Sequence, residues 1–117
     1  MKITINNKRK IFAIQEEFSQ MFPSLKIDFY AKPKKPGGVT STKLVSRSSK
    51  TLEYCRTISR EGTIEIQPSM MISNLKQNLR DIFGLSAEIF QQAGKGSYEY
   101  PLSDKRTLEE TNRLQLV

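Results

Sequence analysis

The sequence contains no histidine. That removes the side chain that most often serves as general base near neutral pH and as a metal ligand. A Ser-His-Asp or Cys-His arrangement is therefore impossible within this chain. Cysteine occurs once, at Cys55, which excludes a disulfide between two residues of the chain and a zinc site of Cys and His ligands. No run of about 18 apolar residues occurs, so no membrane-spanning helix is expected. The stretch from Met1 to Ile5 is too short for the apolar core of a secretory signal. A cytoplasmic location is the expectation.

What is present fits one domain. The chain has 117 residues, 37% hydrophobic and 26% charged, with six Phe, four Tyr and four Met to thicken the core. A domain of this size buries roughly two-thirds of its unfolded surface and folds without staples. The net charge is +7, and it is unevenly placed. Residues 1–31 carry five basic and three acidic side chains, residues 32–60 eight and one, and residues 61–117 six and eight. The whole excess lies in 32–60, a segment that attracts anions whatever fold lies beneath it.

Periodicity gives the elements. Ile3 and Ile5 alternate with polar neighbours as in a short strand. Asn7 is placed to cap a helix from Lys8 to Met21, whose apolar residues Ile11, Ile14, Phe18 and Met21 or Phe22 form one stripe. Pro23 stops it. Leu25, Ile27 and Phe29 alternate in a second strand, and if the two strands pair in parallel the crossover should be right-handed. Lys32-Pro33-Lys34-Lys35-Pro36-Gly37-Gly38 excludes helix and central strand and predicts a loop, with 32–42 flexible. A short strand is expected at Thr42 to Arg47, a helical turn at 51–55 followed by a strand, and a turn at Arg60-Glu61-Gly62. Thr63 to Gln67 alternates around Ile64 and Ile66 and ends at Pro68. Ser69 or Ser73 then caps a second helix with the stripe Ile72, Leu75, Leu79 and Ile82, flanked by Met71 and Phe83. Gly84 sits where a left-handed residue ends a helix, with Leu85 placed to pack back on the last turn. Leu85, Ala87 and Ile89 alternate in a further strand, the turn Ala93-Gly94-Lys95-Gly96 follows, and Ser97 to Tyr100 returns as a hairpin. Thr107 to Glu110 fits a capping box opening a helical turn to 112; Arg113 to Val117 has no clear assignment.

The predicted order is β-α-β, basic loop, β-β-α-β-β and a short helix. The two halves share a strand–helix–strand plan without a repeat at residue level. Two helices on one face of a mixed sheet of four or five strands is the economical α+β solution, because each helix has one apolar stripe. The expected topology is a ferredoxin-like two-layer sandwich.

No catalytic or cofactor motif stands out. Cys55 beside Arg56 and Lys50 is a candidate nucleophile, since nearby cations lower a thiol's pKa. A small buried hydrophobe fits it better, because no partner base exists. Asp81, Glu88, Glu99, Asp104, Glu109 and Glu110 are a supply of carboxylates, but spacing shows no converging pair. Gly94-Lys95-Gly96-Ser97 lacks the spacing of a phosphate loop and reads as a turn. Lys8, Arg9 and Lys10 open the first helix, yet its stripe is that of a core helix rather than of one lying on a membrane.

The basic segment is the strongest candidate. Lys32, Lys34, Lys35, Lys43, Arg47, Lys50, Arg56 and Arg60 are placed to meet phosphates, with Ser46, Ser48 and Ser49 adding hydrogen bonds and Tyr30 and Tyr54 near enough to stack on bases. No RRM, KH or helix-turn-helix pattern accompanies them. The first expectation is a small non-enzymatic binding or accessory module with a protein partner, through an exposed patch around Tyr98 and Tyr100. The second is a nucleic-acid binder using Lys32, Lys34, Lys35, Lys43, Arg47, Lys50, Tyr54 and Arg56. The third is an enzyme built on carboxylates and lysines meeting in a pocket. An edge strand at Ser97 to Tyr100 offers pairing between chains.

Residues 62–112 resemble a group of small uncharacterised bacterial proteins. The likeness lies in Gly62-Thr63-Ile64-Glu65-Ile66, Phe83-Gly84-Leu85-Ser86, Phe90 before a glycine turn, and Thr107-Leu108-Glu109-Glu110 with Asn112. The resemblance covers less than half the chain and implies a fold without a function.

Overall fold

Ile3 and Ile5 are spaced to bury one face of a strand, and they do, each at 2% exposure or less. Their strand, β1 (Lys2–Ile5), pairs antiparallel with β4 (Gly62–Glu65), which places Ile3 opposite Ile64. The computed structural model describes residues 1–31, 44–45, 48–58, 60–93, 96–101 and 103–114. Among these, α1 (Ile11–Met21), α2 (Ile72–Phe83) and α3 (Leu108–Arg113) are α-helical. The remaining strands are β2 (Leu25–Tyr30), β3 (Leu44–Val45), β5 (Ala87–Gln92) and β6 (Tyr98–Glu99), and Leu52–Tyr54 forms a single 3-10 turn.

The fold is α+β, as expected, with two sheets in place of one. The ribbon β1–β4 stands apart from a four-stranded sheet of order β3-β2-β5-β6, and every pairing within the described residues is antiparallel. β1 and β2 therefore never become neighbours, and the parallel β-α-β unit does not form. The reason is that β1 finds its partner in the second half of the chain, as does β2, whose Ile27 lies opposite Ile89 of β5.

This pairing exposes a repeat that residue identities hide. Each half runs strand, helix, strand, short edge strand, short helical turn. Equivalent strands pair antiparallel, β1 with β4 and β2 with β5, the arrangement an approximate two-fold axis produces. The bracing repeats too. Ile11 N donates to Lys50 O (2.9 Å), Phe12 N to Ser48 O (3.0 Å) and Leu52 N to Arg9 O (2.8 Å). In the second half Ile72 N donates to Arg106 O (3.1 Å), Ser73 N to Asp104 O (2.9 Å) and Leu108 N to Met70 O (2.8 Å). The first amides of both long helices are thus satisfied by main-chain carbonyls of a later loop, which answers the orphan-donor problem of a helix start. Neither has a side-chain cap: α1 begins at Lys10 and α2 at Met71. Asn7, expected as the first cap, is instead held by Arg56, and Ser69 and Ser73 do not cap α2.

One core serves both halves. Ile11, Ile14 and Phe18 of α1, Ile72, Leu75 and Leu79 of α2, and Leu52 and Leu108 of the short turns are all buried in it. Ile82 and Met71, expected on or beside the α2 stripe, are 40% and 36% exposed. Gly84 adopts the expected left-handed conformation at φ 65°, and Leu85, fully buried, donates its N–H back to Leu79 O. The strand expected after the 51–55 turn does not form: Thr57 and Ile58 bend at the surface. The predicted capping box is present, with Thr107 and Glu110 bonding each other's main chain. The loop 32–42, most of the strand at 42–47, the centre of the 93–96 turn and 115–117 lie outside the described residues.

Candidate basic surface and its neighbours

Of the expected nucleic-acid contacts, Lys32, Lys34, Lys35, Lys43 and Arg47 lie outside the described residues. The other three fall in very different settings. Lys50 is exposed, and its ammonium lies 4.1 Å from the centroid of the Tyr54 ring, a cation–π contact that holds the side chain over an aromatic face. Arg56 is 4% exposed and committed to the fold. Its Nε donates to Phe83 O (3.0 Å), Nη1 to Asn7 Oδ1 (2.9 Å) and Nη2 to Arg60 O. With three of its five N–H groups bonded and the side chain buried, the guanidinium ties the end of α2 to Arg60 and the β1–α1 loop and is poorly placed to meet a phosphate. Burial lowers its pKa, opposed by the nearby charge of Glu61.

The structure brings the start of α1 to Lys50. The antiparallel bridge between Lys10 and Thr51, with the bond from Ile11 N to Lys50 O, sets the start of α1 against residues 48–51. Lys8 and Lys10 are both exposed there. Among the described residues no carboxylate pairs with Lys8, Lys10 or Lys50, whereas Arg9 between them is held by Glu17 and Thr4 O. Glu53 is the nearest acidic residue in sequence to Lys50 and is itself exposed. Ser48 and Ser49 lie at this corner as well. The run Lys8-Arg9-Lys10 was visible in the sequence, but its proximity to Lys50 depends on a bridge between residues some forty apart in the chain.

The other candidates resolve into structural roles. Cys55 is 2% exposed and its thiol is pushed up to about 11 by burial, so it is protonated at neutral pH, when the thiolate is the nucleophile. Glu110 completes the cap of α3, and the hydrogen bonds from Thr107 hold its carboxyl below the usual range, helped by Arg106 and Arg113. Arg106, Glu110, Arg113 and Leu114 line an open cleft of about 460 Å³. A carboxylate and a lysine do meet on the four-stranded sheet. Lys76 Nζ lies 3.3 Å from both Glu88 Oε2 and Asp104 Oδ2, and Tyr30 OH donates to Glu88 Oε1 at 3.4 Å. Burial first, then the charge of Glu88, raises the Tyr30 pKa. Lys76 offsets part of the charge of the two carboxylates and ties the 103–106 loop to the sheet. Among the described residues no cluster of Cys, Asp and Glu side chains could hold a metal ion, and no helix is long and apolar enough to cross a membrane. The chain matches no family model, no curated protein and no solved structure.

Proposed function

We propose that the chain is a small binding module whose basic corner takes the phosphate backbone of nucleic acid. The observation that supports this reading most is that the start of α1, where Lys8 and Lys10 are exposed, is bonded against residues 48–51 with exposed Lys50, and that among the described residues no carboxylate is paired with any of the three. Unpaired surface cations keep their full condensed-counterion exchange with a polyanion, so affinity is electrostatic and salt-dependent. The Tyr54 ring beneath Lys50 holds that ammonium in place by cation–π attraction. Such contacts position a backbone and carry no sequence information by themselves.

The test is a salt series of binding to labelled single- and double-stranded oligonucleotides. Lys8→Ser/Lys10→Ser/Lys50→Ser should weaken binding and reduce the slope of log affinity against log salt by roughly one per lysine lost. A second variant, Lys32→Ser/Lys34→Ser/Lys35→Ser/Lys43→Ser, asks the same of the segment. Arg56→Met should lower stability by about 1–3 kcal/mol, since it strands buried acceptors, and leave the salt slope of the folded protein unchanged. No binding at low salt, or an unchanged slope in both lysine variants, would sink the reading.

A further inference from the structure

A second surface differs from the basic corner in every respect that matters for recognition. Along β2 and β5, Leu25, Ile27, Phe29, Ala87, Ile89 and Gln91 face the core. The alternate residues Lys26, Tyr30, Glu88 and Phe90 are half-buried on the outward face. Register places Lys26 opposite Phe90 and Gln92 opposite Tyr98. Tyr100, two residues beyond Tyr98, comes back over the same face, with its ring 4.9 Å from that of Phe90 at an interplanar angle of 42°. Three rings are thereby gathered at the β6 edge of the sheet. Tyr98 and Tyr100 are 40% and 60% exposed, among the largest exposures of any apolar or aromatic side chain in the described residues.

This cluster already holds a cation. The Lys26 ammonium lies 5.2 Å from the Phe90 centroid and 5.0 Å from the Tyr98 centroid, within the range of cation–π attraction. Its carboxylate partner is Asp28, at 3.4 Å, which is itself buried and hydrogen-bonded by Gln15. Among the described residues the ion pairs of the face join two lysines, Lys26 and Lys76, to three carboxylates, Asp28, Glu88 and Asp104. A local excess of one carboxylate in these pairs favours an incoming cation.

We propose that this aromatic face is a docking site for a lysine-bearing peptide of a partner protein. The incoming ammonium takes the exposed faces of Tyr98 and Tyr100, and Lys26 is the chain's own occupant of the same rings. Aromatic clusters recognise ammonium groups by the attraction of a cation to the negative face of the ring, the physics of methyl-lysine cages. Tyrosine suits the edge of such a site because its ring gives apolar area while its hydroxyl stays in water. The proposal does not depend on nucleic-acid binding at the basic corner.

The chain has no tryptophan and four tyrosines, so its emission comes from Tyr30, Tyr54, Tyr98 and Tyr100, and the share of the last two is the part lost in Tyr98→Ala and Tyr100→Ala. The probe is a synthetic peptide alternating lysine and glycine, compared with the same peptide acetylated at every lysine, which removes the charge. The expected result is saturable quenching by the charged peptide that the acetylated one fails to reproduce. Tyr98→Ala and Tyr100→Ala should each weaken binding about 2- to 5-fold, the strength of a cation–π contact at an exposed site. Lys26→Met should strengthen it by a similar factor, because the resident cation is gone. Lys10→Ser and Lys50→Ser should leave it unchanged, which separates this site from the proposed nucleic-acid surface. Both tyrosines are exposed, so the variants are expected to fold, and a melting curve checks this. Equal binding of the acetylated peptide, or indifference to both tyrosine variants, overturns the proposal. So does a concentration-dependent dimer that Tyr100→Ala abolishes, which would make a second copy the occupant. Oligonucleotide binding that is lost in the tyrosine variants would give the face to nucleic acid and overturn it likewise.

Discussion

The two halves of the molecule are built alike and finished differently. Each brings the start of its long helix against a later loop through three matching main-chain hydrogen bonds, and each buries one leucine of the following short turn, Leu52 in the first and Leu108 in the second, at 0% exposure. The surfaces over this shared scaffold diverge. Lys10, at the start of α1, corresponds to Met71 at the start of α2; Ser48 and Lys50 correspond to Asp104 and Arg106. The first sixty residues carry thirteen basic and four acidic side chains, and the rest carry six and eight. Positions that face the core are constrained by volume and apolarity, whereas exposed positions are free to take any charge. Recognition is therefore sought where equivalent sites differ, at Lys8, Lys10 and Lys50 on one half and at Tyr98 and Tyr100 on the other.

The comparison is most severely tested at the two leucines. Leu52→Ala and Leu108→Ala should each cost about 2–5 kcal/mol, because each deletes a fully buried side chain and leaves a cavity. Chemical denaturation measures both. Costs within about 1 kcal/mol of each other would support the equivalence of the two turns; a near-neutral Leu52→Ala would break it, making the 3-10 turn an appendage.

Next comes the end of each long helix. α1 ends at Phe22 with φ −128°, ahead of Pro23, and α2 ends at Gly84 with φ 65°. A Cβ on Gly84 would lie 2.5 Å from Ile58 N and 2.9 Å from Thr57 Oγ1. Gly84→Ala should therefore cost more than the ~1–2 kcal/mol of a left-handed conformation alone, read as a fall in the denaturation midpoint. A cost well below that would mean the 57–58 bend yields easily.

The smallest expected effect separates the two short turns. Thr107 accepts from Glu110 N at 3.0 Å and receives Glu110 in return, while Thr51 makes no side-chain cap. Thr107→Ala should cost about 1 kcal/mol, and Thr51→Ala less. The pH dependence follows in sign. Glu110's folded pKa is lowered, so its contribution is present above the ordinary carboxylate pKa and lost as pH falls through the lowered folded value. In Thr107→Ala the acid limb of the stability profile should flatten only in part, because the main-chain N–H of residue 107, the larger cause, is kept. An unchanged acid limb would remove the Thr107 hydroxyl from the account.

Much of the fold was legible because local chemistry and global packing agree. The alternation at Ile3 and Ile5, the stripes Ile11–Ile14–Phe18 and Ile72–Leu75–Leu79, the stop at Gly84 and the box at Thr107 each express one physical requirement within a few residues. The β5–β6 hairpin was legible, but the long-range strand pairing was not, since β1 meets β4 and β2 meets β5 some sixty residues away, and alternation tells which face is buried but not which neighbour is found. The site followed the same divide. Lys50 and Tyr54 were both named as candidate contacts, but a basic residue in a basic segment gave no sign that Arg56 would turn inward to Asn7, Phe83 and Arg60.

What the sequence determined by itself is therefore the set of elements, the exclusion of histidine and zinc chemistry, and the placement of charge along the chain, because each depends on composition or on intervals of two to four residues. What only the tertiary structure decided is the antiparallel two-fold pairing of the halves, the commitment of Arg56 to the fold, the setting of the start of α1 against Lys50, and the gathering of Phe90, Tyr98 and Tyr100 with Lys26 over the first two rings. Each of these joins residues far apart in sequence, and such contacts are selected by the fit of a whole core rather than by any local preference.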